Sequence, residues 1–437
     1  MKKGDFFSNT SWLIIGSLAR MLIQLIVGVI SARYLGPQNY GVLNYVAAYI
    51  CFFSVICELG LTITLVNQLV KNPEDEGKII GSAILLRILA SILSTSFLII
   101  FCYYNESHDH ILIITFIKSI GLIFDSFNTI TYWYQANLQS KYTTLIEFIA
   151  YAMSSIYKIL ILIYDKNIFW FAAATTVDSI LIAILLLISY WKKSSDRLSI
   201  DLNTCKIILK AGTPFIMSGV MIYIYGQTDR IMIGYFCSQV QVGYYSCAAS
   251  ICAMIGFIPQ AIMNSSKSII IESYKLDYRL FEERIRYSIS AVLWVVIIYS
   301  VFLVLLGKYI IWILFGKAYL PALDSLEILC WSFCFSYIGT LRNIWLVCED
   351  KKSYATYFSI CGATINFILN YILIPIYGIC GASFATLITQ FFTSFFLPFI
   401  IPSTRRFSLL FYEAFILKNI NIYYVFNRML TRIRGRA

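Results

Sequence analysis

Ala32-Arg33-Tyr34-Leu35-Gly36-Pro37-Gln38-Asn39-Tyr40-Gly41 separates two long apolar runs, at about residues 11–31 and 42–67. A hydrocarbon core about 30 Å thick needs about 20 apolar residues of helix to cross it, so each run is long enough. Gly and Pro punctuate helices, so the decapeptide reads as a turn between two antiparallel spans. Ten more runs follow, at about 79–102, 111–135, 142–164, 168–191, 211–234, 242–266, 288–306, 322–346, 354–376 and 380–402. Barrel strands are only about ten residues long and alternate in polarity, so runs of this length are helices. The expected fold is an all-α membrane protein with twelve transmembrane helices.

Composition agrees. Of 437 residues, 59% are hydrophobic and only 13% charged, with a mean hydropathy of +0.76. Soluble domains run about 45–50% apolar and about 25% charged. A soluble enzyme, a disordered chain and a secreted disulfide scaffold are therefore excluded. The 12 cysteines form no CxxC pair and fall mostly in apolar runs, where they act as small hydrophobes. His108 and His110 share one short polar loop and read as solvated, not metal-binding. No cofactor is expected. Met1-Lys2-Lys3 could open a signal peptide, but Arg20 interrupts the apolar run and further spans follow at once, which indicates a retained first helix.

The net charge of +11 is distributed by side. With the N-terminus inside, 24 Lys and Arg fall in cytoplasmic segments and four (Arg33, Lys166, Lys308 and Lys317) outside, with six in spans. Positive loops stay cytoplasmic, so both termini are expected there. The largest cytoplasmic loops, about 192–210 and 267–287, flank the middle of the chain. The first reads as a hinge, giving an N-terminal lobe (1–200, helices 1–6), a C-terminal lobe (201–402, helices 7–12) and a basic cytoplasmic tail (403–437). The tail joins an apolar, aromatic stretch at 407–426 to Arg428, Arg432, Arg434 and Arg436, which suits an interfacial helix or a frayed end.

The turn at 32–48 has a second copy. At an offset of 202 the chain reads Gly234-Tyr235-Phe236, then Val242-Gly243-Tyr244-Tyr245 and Ala248-Ala249-Ser250, with Gly243 matching Gly41. A fainter copy is Tyr377-Gly378-Ile379-Cys380-Gly381-Ala382-Ser383. Six helices separate the first two copies, so the halves share one topology. They are expected to be two six-helix lobes related by a pseudo-twofold along the membrane normal, an arrangement suited to alternating access.

Charges inside spans are costly and face the bundle interior or water. The cations are Arg20, Arg87, Lys118, Lys158, Arg230 and Arg342; the anions are Glu58, Asp125, Glu147, Asp178 and Asp229. Arg20 falls mid-helix, with Ser17 and Gln24 on its face; Arg87 shares a face with Ser91 and Ser94. Glu147, Ser154 and Lys158 line another stripe, and Asn366 and Asn370 a fourth. Lys158, Arg230 and Arg342 lie near enough to helix ends to snorkel. Two readings stand: interhelical ion pairs that fix packing, for instance Lys118 with Asp125, or a cavity lining. Four of the six cations precede the sequence midpoint, and a cationic cavity in a low-dielectric wall attracts anions such as phosphates. No GxxxxGK[ST] sequence is present, so energy must come from a gradient, a potential or consumption of product.

The run Ala32 to Pro37 with Tyr40-Gly41, the stretch Glu58-Leu59-Gly60-Leu61, Asp229 to Phe236 with Val242 to Tyr245, and Asn366 to Asn370 with Pro375, Gly378 and Gly381-Ala382-Ser383 together resemble Wzx-type polysaccharide flippases. These belong to the multidrug/oligosaccharidyl-lipid/polysaccharide exporter superfamily. The resemblance implies a V-shaped pair of six-helix lobes that flips undecaprenyl-diphosphate-linked oligosaccharide, such as O-antigen units, across the bacterial inner membrane. It implies a cationic central cavity, a lipid-linked substrate, and polymerase and chain-length machinery as partners. Arg20, Gln24, Arg87, Lys118, Lys158, Arg230 and Arg342 are the candidate substrate-binding residues. Glu58, Asp125, Glu147, Asp178 and Asp229 are candidate charge partners or ion-coupling groups. A drug/cation antiporter of the same superfamily would want an acidic cavity, and helix 1 offers Arg20 without a carboxylate. A polymerase or ligase would want a long external loop bearing Arg or His, which the spacing lacks; no enzymatic activity is expected.

Overall fold

The computed structural model describes residues 3–105, 109–194 and 196–416, with side chains from Ile23 onward except at positions 63, 214, 215, 217, 218, 222 and 225. Among these residues every regular element is a helix. The chain begins with α1 (Lys3–Glu58), α2 (Leu61–Lys71), α3 (Glu76–Asn105), α4 (Asp109–Asp125), α5 (Ile130–Ala136), α6 (Ser140–Ile163) and α7 (Ile168–Lys193). It continues with α8 (Leu202–Phe236), α9 (Gln239–Ala253), α10 (Phe257–Leu276) and α11 (Tyr278–Leu314). Last come α12 (Leu323–Cys348), α13 (Lys352–Phe391), α14 (Leu397–Ile400) and α15 (Arg405–Phe415). Eight helical segments of the described residues are long and apolar enough to cross a membrane.

The turns are tighter than the sequence suggests. Residues 32–41 form no loop: α1 bends at Gly36 alone (φ 70°, ψ 171°) and resumes at Pro37. That conformation is open to Gly and costly for any side chain. Pro37 restarts the helix because the first helical position needs no N–H donor. Gly378 (φ 57°, ψ −133°) does the same within α13, just after Pro375. The expected loop at 267–287 is also mostly helical: α10 runs to Leu276 and α11 starts at Tyr278. Its charged residues ride on helix that extends beyond the apolar window.

Two expected spans are interrupted inside. The run 42–67 breaks at Leu59 and Gly60, both at positive φ, so Glu58 ends one helix and Leu61 starts another. The run 111–135 tightens into a 3₁₀ turn at Ser126–Thr129. Ser, Asn and Thr side chains compete for the backbone, which explains the site of that interruption.

By packing, Met1–Ala248, Lys308–Ser325 and Phe367–Ala382 form one compact unit; Ala249–Gly307, Leu326–Asn366 and Ser383–Ala437 form a second. The first has a core of Leu61, Leu65, Ile80, Trp133, Tyr134, Leu186 and Tyr190. Segment 196–201 is strapped onto it: Ser199 N–H donates to the Gly77 carbonyl (3.2 Å), and the Ser82 hydroxyl bonds both backbone groups of Asp201. The second unit is centred on Ile270, Phe281, Ile289, Val292, Leu341, Trp345 and Phe358. There α15 buries Phe407, Leu410 and Ala414 and leaves Tyr412 and Phe415 exposed. Arg406 pairs with Glu282, and Arg286 with Glu413 (2.9 Å), holding α15 to the start of α11. The basic residues after it, Arg428 to Arg436, lie outside the described residues.

Candidate functional site

Arg87 is sealed in a seam of hydroxyls. It is 5% exposed. Its Nη1 donates to Thr129 Oγ1 at 3.2 Å, inside the 3₁₀ turn. Below it Ser91 and Ser126 share a hydrogen bond (3.2 Å), and Thr95 donates to the Ser119 carbonyl (3.3 Å). The stripe Arg87, Ser91, Ser94 therefore faces inward as its spacing suggests. Asp125 lies within electrostatic reach of Arg87, Asp178 and Glu58. Arg87 Nε has no acceptor.

Lys118, Lys158 and Arg230 are placed differently. All three are half-buried. Lys118 on α4 donates to the Leu43 carbonyl of α1 (3.1 Å). Among the described residues the alternative of a pair with Asp125 is not formed. Seven residues is two turns, about 10.5 Å along the helix, and each side chain finds its own neighbours. Lys118 instead lies within electrostatic reach of Lys158 and Cys51, and Cys51 in turn within reach of Arg230. The Lys158 ammonium sits 5.6 Å from the Tyr151 ring centre, with Asp178 in electrostatic reach. Arg230 on α8 bonds Gln227 Oε1 through Nη1 (2.5 Å) and Ser246 Oγ through Nε (3.3 Å). Among the described residues no carboxylate lies within ion-pair distance of Arg87, Lys118, Lys158 or Arg230.

Asp229 turns the other way. It is 6% exposed. Its carboxylate accepts from Tyr245 Oη (2.5 Å) and Asn370 Nδ2 (2.6 Å). One helical step, about 100°, separates it from Arg230, so the two charges serve different clusters. Arg342 belongs to the second unit. It is 5% exposed, donates to the Thr393 carbonyl and to Asn343 Oδ1 (3.0 Å), and stacks 4.6 Å over Phe358. Thr393 lies in a π-helical turn, Phe392–Phe396, whose widened backbone presents that carbonyl. Glu58, Asp125, Glu147 and Asp178 are half-buried, and Gln24 is exposed. Arg20 lies on α1, but its side chain is outside the described residues.

The sequence reading missed Cys51 and Tyr245. Cys51 looked like one more apolar-run cysteine, and its place beside two cations depends on α4 and α8, far away in sequence. Tyr245 was visible only as part of the repeated turn; sixteen residues from Asp229, it meets that carboxylate through the fold.

A family model described as polysaccharide biosynthesis protein matches residues 6–266, and the MatE model matches residues 214–372. No curated protein matches the chain. Among solved structures, the chain is similar to the lipid II flippase MurJ in an inward closed conformation, with TM-score 0.73 and 18% identity over 94% of this chain and 92% of that one. It is similar to an inward-facing multidrug resistance MATE family transporter of the MOP superfamily, with TM-score 0.68 and 12% identity over 90% and 98%. A MOP superfamily transporter from Pyrococcus furiosus, described as having a binding pocket of reverse polarity, gives TM-score 0.62 and 13% identity over 93% and 96%. The family match covers more than half of the chain, and the long apolar helices suit a membrane: the chain belongs to the polysaccharide biosynthesis protein family.

Proposed function

We propose that the protein flips undecaprenyl-diphosphate-linked oligosaccharide repeat units, O-antigen or a related surface polysaccharide, from the cytoplasmic to the periplasmic face of the bacterial inner membrane. The observation that carries this reading is the half-buried set Lys118, Lys158 and Arg230, which has no carboxylate within ion-pair distance among the described residues. A lysine or arginine at the bilayer centre costs about 3 kcal/mol on insertion scales. A diphosphate arriving with its lipid would offset that cost, and a drug cation would add to it. The lipid-linked substrate of MurJ, named as lipid II, supports the same chemistry.

In this reading the chain crosses twelve times, with α1 and α13 each crossing twice around Gly36 and Gly378. Residues 1–200 and 201–402 are two six-helix lobes related by a pseudo-twofold, residues 403–437 are the cytoplasmic tail, and both termini are cytoplasmic. Transport proceeds by alternating access through the cationic cavity. Arg20, Gln24 and Arg342 complete the candidate set, Arg87 supports it from its buried place among hydroxyls, and Glu58, Asp125, Glu147, Asp178 and Asp229 are charge partners or coupling groups. Polymerase and chain-length proteins would receive the product. The test is a clean deletion in a strain without a second flippase. Surface polysaccharide should disappear while the lipid-linked precursor is still made and stays on the inner face; normal surface polysaccharide would reject the reading. A single cysteine at position 284 should label only from the cytoplasm, and labelling from outside intact cells would overturn the topology.

A further inference from the structure

The two copies of the repeated turn pack on each other, and they do so reciprocally. A Cβ on Gly41 would lie 1.7 Å from the Gln239 carbonyl oxygen and 2.9 Å from Gly243 N. A Cβ on Gly243 would lie 2.1 Å from the Pro37 carbonyl oxygen. Each glycine therefore meets the residue four positions before the other glycine. Both pairs of equivalent positions, 37 with 239 and 41 with 243, are 202 apart, the offset of the repeat. A contact in which i meets j−4 and j meets i−4 is self-complementary, the signature of a local twofold axis. Here the axis passes between the start of the second half of α1 and the start of α9.

The surroundings close the junction. Tyr319 is fully buried, stands edge-on to Tyr40 (ring centres 6.1 Å apart) and to Tyr244 (6.5 Å), and donates through its hydroxyl to the Ala32 carbonyl (2.6 Å). Arg33 donates to the Ile313 carbonyl (3.3 Å). The Tyr45 ring covers Gly234, where a Cβ would lie 2.2 Å from the ring. Backbone on backbone leaves no side chain to rearrange, so a Cβ at either glycine would force the two helices apart.

We infer that Gly41 and Gly243 are positioning residues of a seal that closes the external side of the substrate path, with Tyr319 as its plug. This rests on the proposed orientation, in which the turn at Gly36 faces outward. The seal lies above the cationic cluster: Cys51, near Lys118 and Arg230, is ten residues past Gly41, or about 15 Å along the helix.

The experiment uses the full chain with Cys51 as the only cysteine and a membrane-impermeant maleimide, applied to intact cells and to inverted vesicles. Gly41→Ala and Gly243→Ala should each raise labelling from outside by about tenfold or more. Because they break one contact, the double variant should label no faster than the faster single one. Tyr319→Phe, which keeps the ring and loses only the bond to Ala32, should give a rise of a few-fold. Gly28→Ala, on the same helix with nothing within 4 Å of its Cβ, should label like the parent. If the glycine variants accumulate normally and label like the parent from both faces, the seal is wrong. If they do not accumulate, unchanged labelling of Tyr319→Phe overturns it. If the rise appears only in inverted vesicles, the junction is a seal and the proposed orientation is what fails.

Discussion

Arg87 and Lys118 are both cations inside membrane-spanning helices of the same packed unit, and they are treated in opposite ways. Arg87 is buried among hydroxyls, with Asp125 in electrostatic reach. Lys118 is half-buried, spends one hydrogen bond on a helix carbonyl, and has another cation as its neighbour. A charge that is sealed and locally balanced organises packing. One that is half-buried and faces like charge can accept an anion, and among the described residues no carboxylate lies within ion-pair distance of Lys118. In the proposed flippase the difference favours Lys118, Lys158 and Arg230 as the substrate contacts, while the bond from Arg87 to Thr129 holds α3 to the 3₁₀ turn at Ser126–Thr129.

Substitutions should split along that line. The largest effect is expected from Lys118→Ala combined with Arg230→Ala. Hydrogen bonds to a charged group are worth about 1.5–3 kcal/mol each, so losing both should cut transport about a hundredfold or more, with normal protein levels. Vesicle flipping assays and quantitative blots read the two quantities separately. Arg87→Ala should act first on stability, by about 3 kcal/mol, because Asp125 loses its nearby cation in a poorly solvated place. Thermal melts should show the drop, and adding Asp125→Asn should recover part of it; an inactive but fully stable Arg87→Ala would move Arg87 to the substrate side. Ser126→Ala removes one buried hydroxyl from the same seam and should cost about 1 kcal/mol by denaturant titration, without a transport defect beyond that.

The smallest effect concerns a charge in water. Asp201 caps α8, accepting from Thr204 N–H (2.8 Å) and Thr204 Oγ1 (2.7 Å). These bonds hold its carboxyl below the usual carboxylate value. A depressed value means that the stabilisation is complete above about pH 4, the ordinary aspartate pKa, and is lost as pH falls through the lower folded value. Hydrogen exchange in the first turn of α8 should accelerate in that acidic window, and Asp201→Ala should abolish the pH dependence.

The membrane helices were legible because about 20 apolar residues in a row have one physical solution. The bend at Gly36-Pro37 was legible as an interruption, though not as a single-residue one, because composition does not count how many residues a turn uses. The break at Leu59-Gly60 was hidden: a lone Gly in an apolar run reads as tolerated helix, and positive φ at a leucine has no sequence signature. Spacing put Arg87, Ser91 and Ser94 on one face, and the structure keeps them together. Spacing could not separate Arg87 from Lys118, because depth along a helix says nothing about what a neighbouring helix offers. The offset of 202 announced a pair of equivalent glycines, while their reciprocal contact needed coordinates.

The central claim is that the half-buried cations hold an anion. The most direct test is equilibrium binding of a lipid-diphosphate oligosaccharide to the purified protein in detergent, comparing the parent, Lys118→Ala, Arg230→Ala and Arg87→Ala. The account predicts that Lys118→Ala and Arg230→Ala each lose about tenfold or more in affinity with unchanged melting temperature. Arg87→Ala should bind normally once folded. Unchanged affinity in the first two, or a loss confined to Arg87→Ala, would contradict it.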